Sequence, residues 1–247
     1  MLAIMAVVLI GLFAIGIPIS VSMGLTGFTV IMLRGDIPIE VTAQRFVTGV
    51  DSFPLLAVPF FMLAGALMNT GGITERLVRF ANTLVGHLTG GLGHVVVVTN
   101  MIMAGMSGSA VADCSATGSV LIPAMVRAKF GPAFSAAVTA SASTIGPIIP
   151  PSIPFVIFGI LASVSIGRLF LGGAIPGVLM GLYLMVVVYV VSKKRGYAKG
   201  EKVPGRDIWV AFKSAIPALF LPILIAWGIV GGAVTPTVPV ETTSPAL

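Results

Sequence analysis

The sequence is poor in the charged residues from which soluble proteins build their surfaces. Only 9% of its 247 residues are charged, against about 25% in soluble domains, whereas 57% are hydrophobic and the mean hydropathy is +1.10. The single cysteine, Cys114, excludes an intrachain disulfide and a thiolate metal cluster. The net charge of +6 comes from short basic clusters between apolar segments, a pattern typical of membrane topology signals and not of a nucleic-acid surface. The sequence therefore predicts an integral membrane protein that contacts the lipid bilayer and no nucleic acid.

Long apolar segments recur along the chain. They cover residues 1–16, 19–33, 53–69, 132–165, 175–192 and 208–231. The last four are near or above the length that spans a bilayer. Residues 73–88 instead carry one apolar stripe on a polar helix, which favours an amphipathic helix along the membrane surface. The pattern predicts an all-α polytopic membrane protein.

The basic residues predict the orientation of these segments. The loop 193–206 contains six Lys or Arg and one acid, Glu201, so it is expected in the cytoplasm. Arg127 and Lys129 mark a second cytoplasmic turn by the same rule. Alternation across the membrane then places the loop 34–51 and the N-terminus outside.

A proline-rich interruption lies inside the apolar segment 132–165. The stretch SASTIGPIIPPSIPF, residues 141–155, has four prolines within eight residues. Proline has no N–H group, so a continuous helix would leave the carbonyls of Ser143, Gly146, Pro147 and Pro150 without donors. Unpaired backbone groups are tolerated at membrane depth only where they face protein or a polar cavity. The sequence therefore predicts a broken helix whose carbonyls and hydroxyls suit a small cation such as Na⁺, with a simple proline kink as the alternative.

A second polar interruption, AGMSGSAVADCSATGSVLIP, covers residues 104–123. We interpret residues 90–126 as two half-length helices that meet at a tip inside the membrane. Ser107 and Ser109 supply hydroxyls at this tip, and the helix beginning near Ala110 directs its positive end there. Asp113 is the only carboxylate between Glu75 and Glu201. It is either an electrostatic contributor to a site or a cap of the second half-helix.

An enzymatic function is not favoured. Gly105 to Gly108 spell G-x-S-G, the nucleophile motif of rhomboid intramembrane proteases, but that mechanism needs a histidine base on a later helix. Both histidines, His87 and His94, precede Ser107. The protein is therefore expected not to be an enzyme.

Three long motifs carry a resemblance to a known family. They are the stretch from Phe53 to Val95, MSGSAVADCSATGSVLIPAM and TIGPIIPPSIPFVIFG. In these motifs the chain resembles the large membrane subunit, of the DctM or SiaM type, of tripartite ATP-independent periplasmic (TRAP) transporters. The resemblance extends from about Ile10 to Thr237. It implies Na⁺-driven import of organic acids, of the C4-dicarboxylate or sugar-acid type, by a multi-pass protein of the bacterial inner membrane. The implied partners are a small membrane subunit and a periplasmic substrate-binding protein, and Na⁺ is a coupling ion rather than a cofactor.

The same resemblance implies a domain organisation and a site. It implies one half of an elevator-type ion transporter. Residues 1–89 are expected to form scaffold helices and an arm helix. Residues 90–165 are expected to form half of a transport domain, with one re-entrant hairpin (90–126) and one broken transmembrane helix (132–165). Residues 166–237 are expected to form further membrane helices. The expected Na⁺ ligands are Ser107, Ser109, Gly146, Ile149 and Pro150. The expected substrate-binding or electrostatic residues are Gly108, Asp113, Ser143, Thr144 and Pro151.

The tail 238–247 departs from the family pattern. Members of the family continue after this point into a second, inverted half with the other hairpin, broken helix and Na⁺ site, but here VPVETTSPAL follows Thr237. One half of an inverted repeat supplies half of a midplane site. The alternative to a transporter subunit is therefore a truncated, non-transporting scaffold fragment that binds the small membrane subunit.

Overall fold

The computed structural model of the chain describes residues 2–35, 38, 40, 44, 47, 48, 59, 63, 71–200 and 203–230, with residues 221–230 as backbone only. The predicted segment 53–69 and the tail 238–247 lie outside this description, apart from two isolated residues. The chain divides into two compact units, residues 1–52 and 53–247, each of which is described separately. In the described ranges both units are helical, and the all-α prediction is confirmed.

In the described stretch 2–35, the first unit has two helices that run back along each other. Helix α1 spans Leu2–Ala14 and helix α2 spans Ile19–Arg34. The reversal between them occurs at Gly16, whose φ of +83° is accessible mainly to glycine. Pro18 then precedes α2 as its N-cap residue. Helix α1 has no buried residue among those described, as expected for an apolar helix whose surroundings are lipid or a partner.

The second unit contains seven described helices. They are α3 (Ile73–Val85), α4 (Gly91–Ser107), α5 (Ala110–Arg127), α6 (Pro132–Ser143), α7 (Ile153–Ala162), α8 (Ile166–Arg195) and α9 (Gly205–Val230). Local chemistry explains many of their ends. Ser109, Ser152 and Ser165 cap α5, α7 and α8 by accepting a backbone N–H. Gly196 ends α8 in the left-handed conformation at a φ of +67°.

Helix α4 forms the centre of the second unit. Val95, Val96 and Val97 are all fully buried, so this helix is covered around most of its circumference. Its neighbours α5, α6 and α8 contribute buried residues to the same core, including Leu121 and Val188. A second cluster joins α3 to α9 through Leu77, Phe80, Ala211, Ala215 and Ala218. The apolar stripe predicted for residues 73–88 is thus largely covered by α9, although its member Leu84 is 40% exposed.

Helix α8 is, among the described residues, the helix long and apolar enough to cross a membrane. Its 30 residues extend for about 45 Å, and it begins nine residues before the predicted segment 175–192. One face carries large exposed apolar side chains, among them Ile175, Leu179 and Tyr183. The opposite face carries Gly173, Gly177 and Gly181, which are buried. The helix therefore has one face suited to lipid and one face on which other helices approach closely.

The buried glycine face makes a testable difference between two adjacent positions. A Cβ atom at Gly173 would lie 2.6 Å from the Ile148 carbonyl oxygen and closer still to the Phe155 ring, whereas a Cβ at Gly172 would meet nothing within 4 Å. We expect Gly173→Ala to lower the free energy of unfolding by about 1–3 kcal/mol through overpacking. Gly172→Ala should leave it unchanged or raise it by up to about 1 kcal/mol through helix propensity. Thermal unfolding of both variants in detergent checks this, and equal midpoints would contradict the close approach.

Candidate functional site

Two interruptions of helical structure meet in the second unit. The first, Gly108 and Ser109, separates α4 from α5, and the second, residues 144–152, separates α6 from α7. A Cβ atom at Gly108 would lie 2.8 Å from the Pro151 carbonyl oxygen and 3.0 Å from the Ile153 nitrogen. Gly108 also has a φ of +57°, so both space and conformation require glycine there. The tip of the α4–α5 pair thus lies directly against the break between α6 and α7.

A buried carboxylate lies at this junction. Asp113 has no solvent exposure, and the Ser107 hydroxyl donates a hydrogen bond of 2.6 Å to its Oδ1 atom. Its Oδ2 atom has no hydrogen-bond partner among the described residues. A Cβ atom at Gly146 would lie 2.5 Å from that oxygen, so Oδ2 faces the backbone of the break. An unpaired buried carboxylate oxygen is energetically costly and requires a reason.

Ser109 has two structural roles at the tip. Its hydroxyl accepts the Ala112 N–H at 3.4 Å and so caps α5, while its own N–H donates to the Ser107 hydroxyl at 3.2 Å. The alternative that Asp113 is the cap of this helix is therefore wrong. The Asp113 carboxylate lies in the first turn of α5 and also faces the break between α6 and α7.

Of the four carbonyl groups expected from the prolines to lack a donor, two have one in the structure. The Ser143 carbonyl accepts the Gly146 N–H at 3.0 Å, and the Pro147 carbonyl accepts the Ser152 hydroxyl. Among the described residues, the Gly146 and Pro150 carbonyls accept no hydrogen bond. The expectation was wrong at Ser143 and Pro147 because the chain turns tightly enough there for a nearby N–H and a hydroxyl to replace the missing donors.

Most of the residues predicted for the site come together, but Ser143 and Thr144 do not face the junction. The Ser143 hydroxyl bonds to the Asn100 side chain and to the Thr139 carbonyl. Thr144 is exposed and donates to the Ser141 carbonyl at 2.7 Å. Ser141 and Thr144 line a cavity of about 520 Å³ between α6 and α8, on another side of the broken helix. Ile149 packs against Gly177 of α8, and its N–H donates to the Ile145 carbonyl.

Asn100 is a residue that the sequence analysis missed. It is fully buried in α4, and its Nδ2 atom donates to the Val96 carbonyl at 2.8 Å and to Thr117 Oγ1 of α5 at 3.3 Å. Its Oδ1 atom accepts the Ser143 hydroxyl of α6 at 3.3 Å. A single amide therefore connects three helices below the junction. An asparagine inside an apolar helix was the available signal, since such residues usually join helices in a membrane protein.

The electrostatics of the junction follow from the four helix ends that meet there. Helices α4 and α6 end at it, so their C-terminal, partially negative ends point to it. Helices α5 and α7 begin at it with their positive ends. Hydroxyl, carbonyl and carboxylate oxygens on one side suit a small hard cation, and backbone N–H groups at the two helix starts suit an anion. The junction therefore has the groups needed to bind both charges close together.

Residues 6–247 match the family described as the DctM component of the tripartite ATP-independent periplasmic transporter. The chain belongs to this family. The resemblance expected from the three motifs is thereby confirmed, and the TRAP permeases named below are transport proteins rather than enzymes.

Several TRAP permeases are closely similar to the chain. It is 44% identical over 228 residues to the sialic acid TRAP transporter large permease protein SiaM of Vibrio cholerae, covering 92% of this chain and 53% of that protein. It is 44% identical over 229 residues to the 2,3-diketo-L-gulonate TRAP transporter large permease protein YiaN of Escherichia coli, covering 93% and 54%. It is 38% identical to the C4-dicarboxylate TRAP transporter large permease protein DctM of Vibrio cholerae, in an alignment that covers 95% of this chain and 52% of that protein. The chain spans about half the length of these curated relatives.

The Asn100 connection predicts a measurable loss of stability. Asn100→Ala leaves the Ser143 and Thr117 hydroxyls of two neighbouring helices without their amide partner, so the free energy of unfolding should fall by about 1–3 kcal/mol. Ser119→Ala is the control. Among the described residues Ser119 bonds only to the Ala116 carbonyl of its own helix, so we expect a change below about 0.5 kcal/mol. Thermal unfolding of both variants in detergent is the measurement. A smaller effect at Asn100 than at Ser119 would contradict the three-helix connection.

Proposed function

We propose that the chain is a permease subunit of a TRAP transporter that imports organic acids with a Na⁺ gradient. Membership of the family supports permeation. The meeting of the hairpin tip with the helix break at an unpaired buried carboxylate oxygen is the observation that supports ion binding. The similar permeases named for sialic acid, diketogulonate and C4-dicarboxylates all have acids in their names, which supports an organic acid of the dicarboxylate or sugar-acid type.

The junction fits Na⁺ by its donor set. Hydroxyl oxygens are present at Ser107 and Ser109, and carbonyl oxygens are free at Gly146 and Pro150. We propose these groups, with the Ile149 carbonyl, as the Na⁺ ligands, because unwound carbonyls and C-terminal helix ends coordinate Na⁺ in transporters. Asp113 supplies the negative charge that offsets the cation. Its Ser107 hydrogen bond also directs the hydroxyl proton to the carboxylate, which leaves available to the ion the one Ser107 lone pair that the Ser109 N–H does not use.

The substrate carboxylate is proposed to bind beside this ion. The free N–H groups of the first residues of α5 and the Ile153 N–H at the start of α7 lie near Gly108 and Pro151, and helix starts attract anions. A bound Na⁺ adds a positive charge next to these groups and joins the hairpin tip to the break. Substrate and ion therefore strengthen each other's binding, as coupling requires. We further propose that residues 90–165 carry both across the membrane in an elevator movement relative to a scaffold that includes residues 1–89.

The proposed setting is the bacterial inner membrane, which the chain crosses several times. A periplasmic binding protein delivers the acid, and a small membrane subunit binds the scaffold helices. The test is uptake of radiolabelled sialic acid and C4-dicarboxylates into proteoliposomes that contain the chain with these two partners, under an inward Na⁺ or K⁺ gradient. Uptake with Na⁺ alone is the expected result. Absence of uptake with either ion would favour the non-transporting scaffold instead.

Ser109 tests the ion site against a simple capping role. Ser109 and Ser165 each cap a helix by accepting an N–H at 3.4 Å, so either Ser→Ala variant should cost about 1 kcal/mol of stability. The readout is the Na⁺ concentration at which NaCl gives half of its maximal thermal stabilisation relative to KCl. Only Ser109→Ala should raise this concentration, by about tenfold, because the variant loses one Na⁺ ligand. An equal Na⁺ response in the two variants would remove Ser109 from the site.

Asp113 tests the role of the buried charge. Asp113→Asn keeps the size of the side chain and can still bond to Ser107, but it removes the negative charge that faces Gly146. We expect the Na⁺ concentration at the midpoint of the thermal stabilisation to rise by at least about tenfold, because the neutral amide no longer offsets the charge of the cation. The shift is measured by titrating NaCl at constant ionic strength with KCl. An unchanged midpoint would show that the carboxylate has only a packing role.

A further inference from the structure

Three turns of the second unit converge at the end of the helices opposite the junction. The Gly131 N–H, between α5 and α6, donates to the Tyr197 hydroxyl at 3.2 Å. The Gly90 N–H, between α3 and α4, donates to the Ala198 carbonyl at 3.2 Å. The segment 196–200 after α8 is thereby held against both other turns. These contacts fix the chain on the side that the basic residues assign to the cytoplasm.

Aromatic rings make this surface rigid. The Tyr197 ring lies 4.4 Å from the Phe130 ring and 5.4 Å from the Phe134 ring, measured between centroids. The Arg195 guanidinium carbon lies 5.5 Å from the centroid of Phe134, in the geometry of a cation–π interaction. Tyrosines and cations of this kind are typical of the level at which a membrane meets water. Arg195 is therefore held in place and not simply solvated.

The polar groups of this surface are arranged to donate. The Tyr197 hydroxyl accepts from Gly131 and from Arg195 Nη1, the latter at 3.5 Å, so its own proton remains available, with no acceptor among the described residues. Arg195 has five N–H donors and uses one of them there. The hydrogen bond from Arg195 holds the pKa of Tyr197 below its usual value, because it stabilises the phenolate. The Tyr197 hydroxyl and the remaining Arg195 N–H groups can therefore donate to an acceptor from outside the described residues.

In the described part of the chain, exposed positive charge surrounds these donors. The cations on the adjoining turns and helix ends, all exposed, are Arg127, Lys129, Lys193, Lys194 and Lys199. Between residues 76 and 200 the sequence has one carboxylate, Asp113, which is buried at the junction. Glu201 follows this segment in the sequence, outside the described residues. A phosphate ester combines the negative charge and the acceptor oxygens that the surface lacks.

We propose that Arg195 and Tyr197, with the surrounding cations, bind the phosphate of an anionic membrane lipid at the cytoplasmic surface. Arg195 recognises the phosphate through its remaining N–H groups, and the Tyr197 hydroxyl donates to a second oxygen. The lipid would brace the three turns on which α4, α5, α6 and α8 begin or end. The inference rests on the membrane placement in the proposed function but not on Na⁺ coupling, so its failure would leave the Ser109 test unaffected.

The experiment titrates the full chain in neutral detergent with short-chain phosphatidylglycerol, and compares phosphatidylcholine of the same chain length and inorganic phosphate. Saturable thermal stabilisation by phosphatidylglycerol, with little effect of the other two, is expected. Arg195→Gln should raise the apparent Kd by about tenfold or more, as for a hydrogen bond to a charged group, and Tyr197→Phe by about twofold to tenfold. Tyr197→Phe keeps the ring packing, so it remains informative if the arginine variant does not fold.

Arg206→Gln is the matched control, because it removes one exposed cation of the same side from the first turn of α9. Its Kd should stay within about twofold of the unsubstituted chain. An equal loss at Arg206 and Arg195 would show a diffuse attraction to charge and overturn the site. Equal stabilisation by inorganic phosphate, or none by phosphatidylglycerol, would overturn the assignment to a lipid.

Discussion

The close approach of two backbone interruptions, the Gly108 tip and the break at residues 144–152, is the constraint on which the second unit depends. Interrupted helices expose N–H and C=O groups, which at membrane depth cost several kcal/mol each when unpaired. Here each interruption covers the other, and the approach requires that Gly108 and Gly146 have no side chain. The same contact encloses the Asp113 carboxylate. The packing of the tip against the break therefore affects both the stability of the break and the charge buried beside it.

The enclosed carboxylate would be a defect if stability alone determined the structure. One Oδ atom of Asp113 is satisfied by Ser107, but the other faces the Gly146 backbone without a donor. A hydrophobic residue of similar size would avoid that cost. The carboxylate is compatible with a stable fold when a cation joins it, and the free carbonyls of Gly146 and Pro150 lie in the same break. The unfavourable feature of the isolated chain is therefore the feature that would give the proposed ion its binding energy.

The sequence predicted the positions of the interruptions better than their internal geometry. Prolines 147, 150, 151 and 154 remove donors wherever the chain goes, so the break could be placed without knowing the packing. The satisfaction of the Ser143 and Pro147 carbonyls could not be predicted, because it depends on how tightly the segment turns and where Ser152 points. The opposite exposure of Ser143 and Thr144 also depends on helix rotation. Asn100 was missed because its partners lie 17 and 43 positions away in the sequence.

The contacts around the site also explain how the α4–α5 pair and the interrupted α6–α7 segment stay packed as one unit. Asn100 joins α4 to α5 and α6, while the Gly173 and Gly177 positions let α8 lie directly on Ile148 and Ile149 of the break. Ridges of packed side chains and a shared amide resist sliding better than a single loop contact. An ion or substrate that enters the junction therefore meets groups whose positions are already fixed, and its binding energy is not consumed in ordering them. The proposed elevator movement would require rigidity of this kind, because a flexible junction would lose the proposed ion before the helices had moved.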